Sequence, residues 1–315
     1  MRIAIISDIH GNYPALVKVI EDTVLNNVDK YIFLGDYIFD LPYSNDVVRF
    51  LMEIKNAYII KGNKEIYLKK LASDNQDNWI YNQMGVVYQA FKELTPDLYN
   101  FLDGLEDELY IEIFPGVTIY TVHVPMFFIS PQTKKAHSSS YRYHKKMLEK
   151  PFTHKQYLAE FNGIINTDEC SGHIKQMNAN IILFGHNHLQ CHAYCGDKLI
   201  INPGSCGQPL DFNNNAAYTI LDITNNGFNV LEKRVAYDVE SVIKYAKHSI
   251  QYENGKTWSE LVFLALKSGR DYFGFYFEIA NMIASLKNEE GSFYSNSTWE
   301  EARIIFNGRY KEANV

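Results

Sequence analysis

Arg2-Ile3-Ala4-Ile5-Ile6-Ser7-Asp8-Ile9-His10-Gly11-Asn12 begins as a short apolar run rich in β-branched residues and then turns polar. The stretch from Arg2 to Ser7 reads as a buried strand. Asp8 and His10 stand two residues apart at its end, so both side chains can point to the same side. Pro14 then falls where a helix can begin, and Leu16, Val19, Ile20 and Val24 recur at helical spacing. A strand that passes through polar residues directly into a helix is the opening unit of a layered α/β fold.

Tyr31 to Leu34 and Ala57 to Ile60 read as the next two strands, with a helix over 46–54 between them. This alternation predicts a largely parallel first sheet. Helical pattern follows from about Glu65 to Leu102. Seven short strands are then expected between Leu109 and Ala236, with turns at Pro115-Gly116 and Gly196-Asp197. Two sheets packed face to face, with helices outside, accommodate these elements. After Asp238 the pattern is helical again. The organisation expected is therefore a domain over 1–238 and a helical C-terminal extension over 239–315. Thr257-Trp-Ser-Glu260 and Thr298-Trp-Glu-Glu301 fit the capping-box pattern of helix starts.

The 315 residues are 46% hydrophobic and 21% charged, the balance of a globular protein. No apolar run approaches the roughly 18–20 residues that span a bilayer, so no membrane role is expected. The four cysteines form no CxxC pair, and Met1–Ile6 is too short for a signal-peptide core, which together point to a reducing, cytoplasmic compartment. The net charge of −7 argues against a general nucleic-acid binder. It is uneven: seven Lys or Arg and one Glu between Ser130 and Gln156 leave that segment at +6. A basic insertion over about 126–160 is either a solvated face or a flap over an anionic substrate.

The notable polar residues gather just beyond strands: Asp8 and His10, Asp36, Asn63, His123, and then His186 and His188. In open α/β sheets, ligands bind at this carboxyl edge. Glycines 11, 35, 62 and 185 sit beside these residues, where backbone must turn sharply or approach closely. Two Asp, one Asn and four His are mixed oxygen and imidazole donors without thiolate. They suit Mn²⁺, Fe or Zn²⁺. Seven ligands exceed the needs of one tetrahedral ion, so two divalent ions are expected.

The ordered set Asp8-x-His10, Gly35-Asp36, Gly62-Asn63, His123 and Gly185-His186-x-His188 resembles the calcineurin-like metallophosphoesterase superfamily. Residues 6–12 and Ile-Asn-Pro-Gly-Ser-Cys-Gly-Gln-Pro at 201–209 are similar to its bacterial and archaeal predicted phosphodiesterase branch. The resemblance, over residues 1 to about 236, implies a four-layer α/β/β/α sandwich and a dinuclear site. It further implies that Asp8, His10 and His188 hold one ion, that Asn63, His123 and His186 hold the other, and that Asp36 bridges. A hydroxide between the ions would then hydrolyse a phosphate ester in line. The Asp-Arg-Gly of the Ser/Thr protein phosphatases is absent after Gly35-Asp36, which argues against that activity.

One position departs from the family. Many relatives carry His after Gly-Asn, the usual donor of a proton to the leaving group, whereas this chain reads Gly62-Asn63-Lys64-Glu65. Lys64 is either a solvent-facing residue of a helix's first turn or a fixed charge that stabilises an anionic transition state. His137 or His144 is the alternative proton source. Asn63 and Lys64 are thus the candidate catalytic residues, and Asn12 and Arg142 the candidate substrate contacts. The expected partner is a small phosphate ester, with a nucleotide or nucleic acid as alternative. A non-catalytic binding module on the same fold is the remaining reading. The aromatic residues of the extension serve either packing or a homo-oligomer interface.

Overall fold

In the computed structural model, which describes residues 1–125, 153–225, 227–290 and 293–310, β1 (Arg2–Ile6) runs through the middle of a five-stranded sheet. It pairs in parallel with β2 (Lys30–Phe33), and β2 with β3 (Ala57–Ile59). On the other side β1 lies antiparallel to β9 (Ala216–Thr224), which forms a hairpin with β10 (Gly227–Val235). The second sheet runs in the order β4 (Glu108–Phe114), β5 (Val117–Val122), β6 (Ile181–Leu183), β8 (Lys198–Pro203) and β7 (Gln190–Cys195).

Alternation along each strand decides the layers, because successive side chains leave opposite faces of a sheet. Ile3 and Ile5 point inward and meet Ile119, Ile181, Leu183 and Ile201 of the second sheet. Ala4 and Ile6 point outward beneath α1 (Tyr13–Leu25) and α2 (Ser44–Glu53). Tyr120, Ile182 and Ile200 on the outer face of the second sheet lie beneath α6 (His154–Ile165) and α7 (Asp168–Gln176). The result is the four-layer α/β/β/α sandwich. Pro14 sits in the first turn of α1, and Asn12 caps that helix by accepting the Ala15 N–H at 3.3 Å.

The helical stretch expected over 65–102 is three helices, α3 (Asn63–Ser73), α4 (Gly85–Glu93) and α5 (Pro96–Asp103). The polar run Asp74-Asn75-Gln76-Asp77-Asn78 breaks it, because Asn75 accepts the Asp77 N–H and offers the backbone a local alternative to helix.

The C-terminal helices are α8 (Val239–Ala246), α9 (Ile250–Asn254), α10 (Lys256–Ser268), α11 (Phe273–Leu286) and α12 (Asn296–Tyr310). Neither expected capping box starts a helix. Thr257 lies inside α10, whose entry is fixed at Gly255 by close packing on Val86. Thr298 lies inside α12; Ser295 Oγ accepts its N–H, and its own hydroxyl donates to Glu289. A tertiary contact outranks the four-residue pattern at the first site, and an earlier local cap, Ser295, does so at the second. The extension's aromatic residues pack inside the chain, with Tyr276 and Trp299 rings 4.5 Å apart in a cluster that includes Tyr272, Phe275 and Phe306. Among the described residues no helix is long and apolar enough to cross a membrane.

Candidate metal centre

All seven expected ligands meet at one edge of the sandwich. The first sheet contributes Asp8 and His10 after β1, Asp36 after β2, and Asn63 at the start of α3. The second contributes His123 after β5, and His186 and His188 after β6. Main-chain bonds stitch these turns together: Asp8 N–H donates to Gly35 O, His10 N–H to Asp36 O, and Gly185 N–H to His123 O. These bonds lie within one sheet's turns or the other's, and the His186 N–H, which donates to Asp8 Oδ2 at 3.1 Å, joins the two.

Close approach explains two of the glycines. A Cβ at Gly62 would stand 2.3 Å from the Asp36 nitrogen, and one at Gly185 2.1 Å from Ser7 Oγ. Backbone strain is concentrated here as well. Asp8, His10, Asp36, His186 and His188 all have positive φ, between 52° and 73°. Such conformations are sparse for residues other than glycine, and they persist where the surrounding structure enforces them.

The histidines are fixed from behind. His123 Nδ1 lies 2.6 Å from Leu34 O, His188 Nδ1 lies 2.6 Å from Gln208 O, and His10 Nδ1 lies 2.6 Å from Asp40 Oδ2. A carbonyl or carboxylate oxygen can only accept, so each Nδ1 carries the hydrogen. In the neutral ring, Nε2 then presents a lone pair to the interior. His10 Nε2 and His188 Nε2 face each other at 3.1 Å, and both are close to Asp8 Oδ1, at 3.8 and 3.4 Å. His123 Nε2 lies 3.5 Å from Asp36 Oδ1 and 3.0 Å from Asn63 Oδ1. His186 Nδ1 is 2.9 Å from the same Asn63 oxygen. Lone pairs and carboxylates converging in a buried space require a cation, either protons or metal.

The electrostatics agree. Burial opposes charge on Asp8 and Asp36, yet the surrounding imidazoles hold both below the ordinary carboxylate range. Burial also opposes charge on His10 and His123, but Asp40 lifts His10 to about 10 and Asp36 lifts His123 to about 9. His188 goes the other way, because burial outweighs the attraction of Asp8. Two sets of donor atoms lie within 4.8 Å of one another: Asp8, His10 and His188, and Asp8, Asp36 and His123. This donor set fits divalent metal.

The other expected site residues fall differently. Lys64 is turned inward, with its side chain 20% exposed and Nζ 3.8 Å from Asp40 Oδ2, so the solvent-facing alternative is overturned. Burial works against its charge, but Asp40, Asp36 and Glu65 outweigh that and raise its pKa. Asn12 is fully buried, and its amide donates to Gly207 O and Tyr237 Oη while its oxygen caps α1. Those bonds engage the whole amide in a structural task rather than the substrate contact expected of it. Arg142, His137 and His144 lie outside the described residues, as does most of the basic insertion.

Sequence reasoning passed over several residues. Asp40 stands behind His10, in the second-sphere arrangement that fixes a ligand histidine's tautomer. An acid inside the apolar run Tyr37-Ile-Phe-Asp-Leu41 was the available signal. Glu65 accepts the main-chain N–H groups of Asp36, Tyr37 and Gly62. Residues 205–208 brace the site from below: Ser205 Oγ and Gly207 N–H both donate to Asp8 O.

A sequence profile described as calcineurin-like phosphoesterase matches residues 1–190, a span that includes every residue of this cluster. The chain is also 26% identical over 256 residues to an uncharacterized protein of Methanocaldococcus jannaschii, covering 76% of this chain and 88% of that one. Its fold is similar to that of a metallophosphoesterase from Sphaerobacter thermophilus (20% identity, TM-score 0.58, 85% of this chain and 99% of that one). It is similar also to a hypothetical protein from Pyrococcus horikoshii (18% identity, TM-score 0.57, 85% and 98%). With more than half its length matched and the donor cluster intact, the chain belongs to the calcineurin-like phosphoesterase family.

Proposed function

We propose that the chain is a metal-dependent phosphodiesterase with two divalent cations in its site. One observation carries this reading: three histidines, each with an oxygen 2.6 Å behind its Nδ1, aim Nε2 at the buried carboxylates of Asp8 and Asp36. Asp8, His10 and His188 would hold one ion, and Asn63, His123 and His186 the other. Asp36 would serve both, since its Oδ2 faces His10 and its Oδ1 faces His123. Oxygen and imidazole donors suit Mn²⁺, Fe or Zn²⁺. Bound there, such ions act as Lewis acids on phosphoryl oxygens and lower the pKa of coordinated water toward neutrality.

The chain's own residues supply the rest. Lys64 keeps its proton beside Asp40 and adds fixed positive charge where the phosphate's negative charge develops. The Asn63 amide orients a phosphate oxygen. An ammonium with a raised pKa is a poor acid, so leaving groups that depart unprotonated are favoured. The substrate is a small phosphate diester, a class that includes dinucleotides. Four buried cysteines, none of them in a disulfide, fit a reducing, cytoplasmic setting.

The test is hydrolysis of bis(p-nitrophenyl) phosphate and p-nitrophenyl phosphate by purified protein with Mn²⁺, beside Asp36→Asn. The expected result is turnover that favours the diester and disappears in the variant. Folded, Mn²⁺-loaded protein that hydrolyses neither ester would instead support a binding role for the same fold.

A further inference from the structure

The turn between β2 and α2 carries two carboxylates of the centre, Asp36 and Asp40, and the C-terminal helices grip it at three successive residues. Gln251 Nε2, in α9, donates to Phe39 O at 2.8 Å, a buried bond between residues 212 apart. Trp258 Nε1, in α10, donates to Asp40 Oδ1 at 2.8 Å. Leu41 packs into a cluster of Val242, Ile243, Ala246, Val262, Phe263 and Leu266. Phe39 is itself buried at a φ of +83°, a conformation that phenylalanine keeps only when its surroundings enforce it.

The residue in the middle of this grip is the one behind His10. With Oδ1 taken by the Trp258 N–H, Asp40 Oδ2 is turned to His10 Nδ1 at 2.6 Å. The same indole lies 5.7 Å beneath Lys64 Nζ. Asp40 is 4% exposed, so a lost donor is not readily replaced by water. We infer that Trp258 is a positioning residue of the metal centre, and that the C-terminal helices are part of that centre through their hold on residues 39–41.

This rests on the metal reading of Asp8, His10 and His188. The experiment is Mn²⁺ titration of the full chain by calorimetry, with thermal unfolding measured separately without added metal. Trp258→Phe keeps an aromatic ring and removes the N–H. It is expected to weaken Mn²⁺ binding roughly three- to tenfold, at or below the low end for residues that orient metal ligands. Asp40→Asn is expected to weaken binding about 10- to 100-fold. The double variant should match Asp40→Asn, because Trp258 acts through that carboxylate. Gln251→Leu, which loosens Phe39 by a different route, should weaken binding in the same Asp40-dependent way and serves if Trp258→Phe does not fold.

Unchanged Mn²⁺ affinity in both variants, even with a lower unfolding temperature, would reduce these contacts to packing and overturn the inference. So would losses that simply add to that of Asp40→Asn. Wild-type protein that binds no Mn²⁺ would remove the metal reading itself. Wild-type binding with unaltered variants would remove only the role assigned to Trp258.

Discussion

Glu65 Oε2 accepts the main-chain N–H of Asp36 at 2.9 Å, so the helix that begins at Asn63 is fastened to the turn that presents Asp36. The same oxygen takes the Gly62 N–H, and Oε1 takes that of Tyr37. In Glu65→Gln, one oxygen becomes an amide nitrogen facing a buried donor. The expected loss is about 1–3 kcal/mol of folding stability, the cost of a buried group left without its partner. Urea denaturation without metal measures it; an unchanged midpoint would mean that the turn holds itself.

Metal should stabilise the fold as well as activate it. Ligand that binds only the folded chain adds about 2.7 kcal/mol at a hundredfold excess over Kd. Unfolding with Mn²⁺, and again after chelation, should therefore show a rise in midpoint that chelator reverses. Asp36→Asn should lose that rise. A midpoint indifferent to Mn²⁺ in the wild-type protein would count against the centre.

Lys64 offers a gain-of-function experiment. Lys64→His introduces a side chain able to act as a general acid, and a general acid is typically worth 10²- to 10⁴-fold. Because Asp40 and Trp258 are arranged for an ammonium, a smaller gain is expected, roughly tenfold in turnover of alkyl esters relative to nitrophenyl esters. An unaltered ratio between the two ester classes would show that leaving-group protonation does not pass through this position.

Away from the site, Arg2 grips Asp222 with two bonds, of 2.7 and 2.9 Å, and joins β1 to β9. Those bonds to Arg2 hold Asp222 below its ordinary value of 3.8. A depressed folded-state pKa contributes stability above the unfolded value and loses it as pH falls through the folded one. Asp222→Asn should thus cost under about 1 kcal/mol at neutral pH, the scale of a partly solvated pair, and the difference should shrink as pH falls below 3.8. A difference constant across that range would contradict the ion-pair account.

The strand-end residues were legible in sequence because their signal is local. An apolar run followed by Asp8-x-His10, or Gly185-His186-x-His188, announces both its strand and its ligands within a few positions. What stayed hidden depends on partners far along the chain. Asp40 gains its role from His10 on one side and from Trp258, 218 residues away, on the other. Thr257 shows the converse, a local pattern overruled by the packing of Gly255 on Val86. Asn12, expected as a substrate contact, is another such case. Its partners Gly207 and Tyr237 lie 195 and 225 residues later.

The candidate ligands are divided between the two sheets, four from one and three from the other, across a seam filled mainly by aliphatic side chains. Aliphatic surfaces tolerate sliding, since one isoleucine contact is much like the next. Imidazole and carboxylate do not, because their bonds have direction. The cluster therefore acts as a vernier for the sandwich: a slip of one sheet along the other would leave the greasy seam almost indifferent while pulling His123 away from Asp36. Alignment of the two halves is recorded at the edge where the chemistry takes place.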